Sequence, residues 1–83
     1  MTTHELKIMC NFANAIVDGD KTFEIRENDR GFQKGDRVKF HVLDMNGIAF
    51  PSHVLSKRTY EITYVLNGCG LKENYVVFGI REV

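Results

Sequence analysis

Residues 37–42 read RVKFHV, the cleanest alternation of polar and apolar side chains in the chain. A period of two is typical of a β-strand that buries one face. The same period returns over residues 4–8, 22–26 and 58–66. Residues 75–80 form an almost continuous apolar run, which indicates a central strand buried on both faces. The chain is therefore predicted to be mainly β.

One helix interrupts this series of strands. Small or apolar residues recur at helical spacing at Phe12, Ala15, Ile16 and Gly19. Asn11 is the predicted N-cap, and Gly19 is predicted to end the helix in the left-handed conformation that favours glycine. Because the helix is short, its stability must come from packing against the rest of the domain.

The number of strands favours closure of the sheet. Residues 44–57 form the longest irregular stretch, where Asn46-Gly47 is a hairpin signal and residues 48–50 a brief return edge. Five to six short strands and one or two short helices thus share a single domain, residues 1–83. Closing such a sheet removes its unpaired edges, so we expect a β-barrel-like domain with the helix plugging one end.

The alternation also predicts which side chains of the strand at residues 58–66 are buried. Tyr60, Ile62, Tyr64 and Leu66 share one face of this strand and are expected in the core. The alternative is that the two tyrosines stack on bases, as aromatic side chains on RNA-binding sheets do.

Charge and hydropathy exclude several classes of function. Eleven Lys and Arg balance eleven Asp and Glu, so the formal net charge is zero and a polybasic, charge-driven nucleic-acid binder is excluded. A local basic patch is not excluded. No apolar run approaches the roughly 18 residues of a membrane span, and no signal peptide is evident. We expect a cytoplasmic protein without a membrane partner.

The cysteines and histidines show no metal-ligand spacing. Cys10 and Cys69 lie far apart in the sequence and are expected to be free, packed thiols. His4, His41 and His53 are equally scattered. We therefore expect neither a metal site nor a cofactor.

The densest polar cluster is GDKTFEIR at residues 19–26. Glu24 and Arg26 project from one face of a strand, roughly 7 Å apart, with Lys21 near the start of that strand. A guanidinium can bind a phosphate or a base edge, a carboxylate can accept from an exocyclic amine, and a lysine can bind phosphate or act as nucleophile or base. The alternative is a solvated outer face, with Phe23 and Ile25 inside and the charged pair worth about 0–1 kcal/mol.

The same cluster resembles a known motif. Gly19, Lys21, Glu24 and Arg26 fit the Gly-x-Lys-x-x-Glu-x-Arg pattern of ASCH domains (activating signal cointegrator homology), which are related to PUA domains. With flanking blocks at residues 4–8, 23–32, 61–66 and 71–77, nearly the whole chain resembles a small bacterial and phage ASCH/PUA-like family described as carrying an RNA-recognition signature.

This resemblance implies both a fold and a function. The fold is a PUA-like β-pseudobarrel of five to six short strands with the helix beside a cleft. The function is an RNA-binding module that holds RNA or a nucleotide-like ligand in that cleft. The predicted binding residues are Lys21, Glu24, Arg26, Asp29, Arg30 and Tyr75, the last as a residue bordering the cleft.

Two other functions stay open. Some ASCH proteins resemble small amidohydrolases that deacylate a modified cytidine nucleoside. Here Lys21 would be the nucleophile or base, Thr22 or Thr63 a nearby hydroxyl, and Glu24 or Glu73 the proton-transfer partner. The sequence shows no firm partner carboxylate for Lys21, so binding is favoured over catalysis.

The other alternative is a protein-interaction module with a protein partner. Exposed apolar side chains at Phe32, Phe50 or Val54 would indicate it.

Overall fold

A computed structural model describes residues 1–83 of the chain. The elements are β1 (Thr3–Met9), α1 (Cys10–Val17), β2 (Phe23–Glu27), β3 (Arg37–Leu43), the single 3₁₀ turn η1 (Val54–Lys57), β4 (Thr59–Asn67) and β5 (Tyr75–Glu82). The strands form one sheet in the order β1-β3-β4-β5-β2, in which β1 and β3 are parallel and the other neighbours antiparallel. The sheet curls into a half-barrel, so the predicted mainly β pseudobarrel is confirmed.

The return edge predicted at residues 48–50 is not a full strand. Ala49 forms only an isolated bridge with Leu43, which leaves five strands. None of the helices has the length and apolar character that crossing a bilayer requires.

The core lies on the concave face of the sheet. The strands contribute to it Leu6, Ile8, Val38, Phe40, Val42, Tyr60, Ile62, Val76, Phe78 and Ile80, and α1 contributes Ala13 and Ile16. Strand β5 lies inside the sheet, between β4 and β2, but its outer face is only half-buried at Val77 and Gly79, so the predicted burial of both faces is wrong.

Strand β4 changes faces half-way along its length. Tyr60 and Ile62 are buried as predicted, but Tyr64 and Leu66 are exposed, so the prediction for the second half is wrong. A β-bulge at Thr63 is the cause, because the register with β5 shifts between Ile62 and Tyr64. The extra residue turns the following side chains to the opposite face.

Helix α1 begins one residue before the predicted N-cap. Met9 precedes the first turn and makes no side-chain capping bond, so the prediction of Asn11 is wrong. At the other end Gly19 has φ +82° and its N–H donates to the Ile16 carbonyl (3.1 Å), while the Asp20 N–H donates to the Ala15 carbonyl (3.0 Å). This pair of bonds is a Schellman motif, which confirms Gly19 as the residue that ends the helix.

The two cysteines are free, and they differ in environment. Cys10 is half-buried at the start of α1. Cys69 is exposed in the turn between β4 and β5, so the expectation that both thiols are packed is wrong for Cys69.

The first and last strands of the sheet order, β1 and β2, face each other across a gap that we call the seam. Their Cα atoms nowhere approach within 8 Å. Two arginines bridge it instead: Arg26 Nη2 donates to the Lys7 carbonyl (2.7 Å) and Arg30 Nη1 to the Glu5 carbonyl (3.0 Å). The seam is thus closed by side chains where a full barrel would have a backbone ladder.

Phe32 fills the end of the seam near the start of β1, which we call the lower end. Its ring centroid lies 4.7 Å from that of His4 in β1 and 4.8 Å from that of Phe78 in β5. The sequence left open whether Phe32 is an exposed contact residue, but the side chain is buried.

A buried hydrogen bond between His4 and Asp36 ties the start of β1 to the turn before β3. His4 Nε2 lies 2.8 Å from Asp36 Oδ2, and the N–H groups of Thr2 and Gln33 donate to the same carboxylate. Burial alone would raise the pKa of Asp36, but hydrogen bonds from His4, Thr2 and Gln33 outweigh it and lower the pKa below its usual value.

This pair predicts an acid-sensitive contribution to stability. Because the pKa of Asp36 is depressed in the folded state, its contribution is present above the ordinary pKa of about 3.9 and is lost as the pH falls through the lower, folded-state pKa. In urea unfolding at a series of pH values, the free energy of unfolding of Asp36→Asn should fall less steeply in acid than that of the wild type. Asp29→Asn, at an exposed position, should fall as steeply as the wild type. Equal acid slopes for the wild type and Asp36→Asn would contradict the assignment.

Candidate ligand-binding cleft

A cleft of about 680 Å³ opens at the upper end of the seam, near the end of β1. One wall comes from the end of β1 and from α1, and the other comes from β2 and the segment before it. The lining residues are Lys7, Ile8, Met9, Phe12, Ala15, Asp20, Lys21, Phe23, Glu24, Ile25 and Arg26. Lys21, Glu24 and Arg26 of the sequence motif therefore meet in one cleft.

Strand β2 buries a charged side chain and exposes its apolar side chains, the opposite of what its hydrophobic pattern predicts. Glu24 is buried, with 4% of its surface exposed, whereas Phe23 is 41% and Ile25 52% exposed. The expectation that the aromatic and aliphatic side chains face the core is wrong for this strand. Glu24 pairs in register with Phe78 of β5, whose side chain lies in the core, and so the charged face of β2 points inward.

Glu24 holds the two cations of the cleft in place. Its Oε1 accepts from the Lys21 ammonium and its Oε2 from Arg26 Nε (2.9 Å). The carboxylate side chain is 5% exposed, against 17% for Lys21 and 25% for Arg26. The solvated surface pair considered from the sequence is therefore excluded.

Lys21 is positioned by the end of α1. Its backbone N–H donates to the Ala15 carbonyl (3.0 Å), directly after the Gly19 turn. Its ammonium then lies 5.7 Å from the ring centroid of Phe12 and 5.4 Å from that of Phe23, within the range of cation–π attraction. The turn at Gly19 thus fixes the backbone of Lys21 and places its side chain in the cleft.

Phe12 was missed as a residue of the cleft. The i, i+3, i+4 pattern fits Phe12, Ala15 and Ile16, but it fits Ala13, Ile16 and Val17 equally well. The second set faces the core, and Phe12 is 49% exposed. The helix sequence alone cannot show which of these two faces is buried, because that depends on the position of the sheet.

The remaining predicted binding residues lie outside this cleft. Asp29 and Arg30 are exposed beside the lower seam, where Arg30 forms its bridge to β1. Tyr75 lies in a second depression of about 460 Å³, with the Lys72 ammonium 5.6 Å from its ring centroid. Tyr75 therefore does not border the cleft of Lys21.

The hydroxyl and carboxylate residues considered for catalysis are similarly divided. Thr22 is exposed next to Lys21, and its carbonyl accepts from the Ile80 N–H (3.0 Å). Thr63 lies over Gly79, where an added Cβ would be 2.6 Å from its hydroxyl oxygen. Glu73 lines the second depression. Glu24 is the carboxylate in contact with the Lys21 ammonium.

Comparison with known proteins gives a family without an assigned function. A family model described as "Domain of unknown function (DUF3850)" matches residues 3–80. No curated protein matches the chain.

Proposed function

The chain belongs to the DUF3850 family, and from the geometry of its cleft we propose that it is a binding module for RNA or a nucleotide-like ligand. The observation that carries this proposal is the inverted strand β2. It buries Glu24 between two cations and leaves Phe23 and Ile25 exposed at the cleft. Burying charge and exposing apolar surface both cost stability, and departures of this kind from a local rule concentrate at functional sites.

The dimensions and chemistry of the cleft suit a nucleotide. A volume of about 680 Å³ lies within the usual range for small-ligand sites. Phe12 and Phe23 offer aromatic faces for stacking, and the lining carries three cations, Lys7, Lys21 and Arg26, against the carboxylates of Asp20 and Glu24. The resemblance of residues 19–26 to the ASCH motif supports the same function.

An NMR amide-shift titration with short single-stranded and stem-loop RNAs tests the proposal. We expect saturable shifts centred on residues 19–26, whose binding is weakened in Lys21→Ala and unchanged in Lys39→Ala, which removes an exposed cation of β3. Because few cations line the cleft, the salt dependence should correspond to about one to three neutralised phosphates. Shifts confined to the depression around Tyr75, or a much steeper salt dependence, would contradict this site.

One contact favours a second candidate, the amidohydrolase that deacylates a modified cytidine. The Lys21 ammonium touches the Glu24 carboxylate, so a proton acceptor is within reach of a lysine that would serve as nucleophile or base. Thr22, the hydroxyl residue considered from the sequence, follows Lys21 directly but does not line the cleft. Incubation with an N4-acylcytidine nucleoside tests this activity, and equal rates for the wild type and Lys21→Ala would exclude it.

A further inference from the structure

The half-buried cations of the cleft, Lys21 and Arg26, have hydrogen-bond donors that no protein group uses. Lys21 has three N–H donors and uses one on Glu24. Arg26 uses Nε on Glu24 and Nη2 on the Lys7 carbonyl, which leaves the N–H groups of Nη1 unused. Both side chains keep part of their surface open to the cleft. A ligand thus meets an ammonium and a guanidinium edge that are already fixed in position.

The acceptor of the same cluster, the Glu24 carboxylate, is shielded from a ligand in the cleft. Both carboxylate oxygens of Glu24 are covered by the two cations, and the side chain is 5% exposed. A ligand amine could reach Glu24 only by displacing Lys21 or Arg26, which would leave a buried charge without its partner. The other carboxylate of the lining, Asp20, is exposed. An amine bound there would exchange its hydrogen bond to water for one to the carboxylate, with little gain in binding free energy.

From this asymmetry we infer that the cleft selects ligands that present oxygen acceptors, and among pyrimidines selects uracil over cytosine. The two bases differ at position 4, which is a carbonyl acceptor in uracil and an amine donor in cytosine, and at N3, which is a donor in uracil and an acceptor in cytosine. The inferred selectivity requires that position 4 is the group that meets the two cations. A carbonyl there can accept from Lys21 or Arg26, whereas an amine faces two donors of positive charge. This inference rests on the proposed function and names the ligand class of the same cleft.

Phosphate oxygens are acceptors as well, and the test must separate the two sources. Labelled single-stranded oligomers of uridine and of cytidine, equal in length, have the same number of phosphates and differ only in the base. By fluorescence anisotropy we expect the uridine oligomer to bind the full chain about tenfold more tightly, the size of one good base contact. UMP should likewise compete better than CMP.

Two variants locate the discrimination. In Lys21→Ala the ratio of the two affinities should fall towards one, and in Asp20→Asn it should stay at the wild-type value. Amide shifts of the wild-type chain with UMP and CMP give the same comparison without any substitution, so a poorly folded variant does not decide the result.

Each outcome bears on the inference. Equal affinities would mean that the cluster holds phosphate, and tighter binding of cytidine would mean that an amine is read; both overturn the selectivity and leave RNA binding intact. A ratio that changes in Asp20→Asn would move the discrimination to the rim and overturn the role of the buried cluster. If neither oligomer binds, the proposed function fails and the selectivity fails with it.

Discussion

Replacing Phe32 with alanine is expected to lower the free energy of unfolding by about 3–4 kcal/mol, the usual cost of removing a buried phenylalanine ring. The ring fills the lower seam between His4 of β1 and Phe78 of β5, where no backbone ladder joins the edge strands. Truncation removes both ring contacts at a place where side chains, among them Arg26 and Arg30, connect β2 and the segment after it to β1.

Urea unfolding followed by circular dichroism measures this loss. Phe50→Ala is the matched control, since Phe50 is 38% exposed in the loop between β3 and β4 and its truncation should cost less than about 1.5 kcal/mol. Equal losses for the two variants would show that Phe32 does not fill the seam in solution.

Replacing Glu24 with alanine is expected to cost about 3 kcal/mol, the lower end of the range for removing one partner of a buried ion pair. The lower end applies because Lys21 and Arg26 retain some solvent contact. Without the carboxylate, two positive charges remain side by side, and the Arg26 bridge to Lys7 loses the group that orients it.

A double-mutant cycle separates this electrostatic cost from packing. Glu24→Ala should cost clearly less in a Lys21→Met background, where one of the two uncompensated charges is gone. A total cost of about 0–1 kcal/mol for Glu24→Ala would instead be that of a surface pair, and would contradict the buried position of Glu24.

The alternation in residues 4–8, 37–42 and 58–66 was enough to predict strands, because a period of two places every second side chain on one face whatever the partners are. Gly19 was equally informative, since a positive φ after a helix is a local requirement. These features depend on neighbours in sequence, and the structure confirms them.

The orientation of β2 could not be predicted in this way. Phe23 and Ile25 have the stronger preference for the core, and a local rule places them there. What decides the outcome is the trio of Lys21, Glu24 and Arg26, whose mutual contacts allow the charged face to be buried. That compensation exists only after the chain has folded, so the same three residues could be recognised as a motif while the face that they occupy was missed.

The bulge at Thr63 and the burial of Phe32 escaped prediction for a related reason. Nothing in residues 58–66 interrupts the alternation. The shift arises in the pairing with β5, where Gly79 is opposite Tyr64 and its missing side chain leaves room for the Thr63 hydroxyl. Phe32 sits in a polar segment, and its burial depends on the width of a seam formed by distant strands. Register and gap size are properties of pairs of strands.

Strand β2 has a single neighbour in the sheet, and that neighbour is the last strand of the domain: Phe23 pairs with Gly79, and Glu27 with Tyr75. At a synthesis rate of about 5–20 residues per second, residues 21–26 leave the ribosome roughly 3–10 s before their partners in β5. A nascent chain therefore carries the complete lysine, glutamate and arginine motif before β5, the strand that pairs with it, has been made. If the cleft binds a ligand as proposed, a nascent or truncated chain without β5 should not bind it, because β2 then lacks its only partner in the sheet.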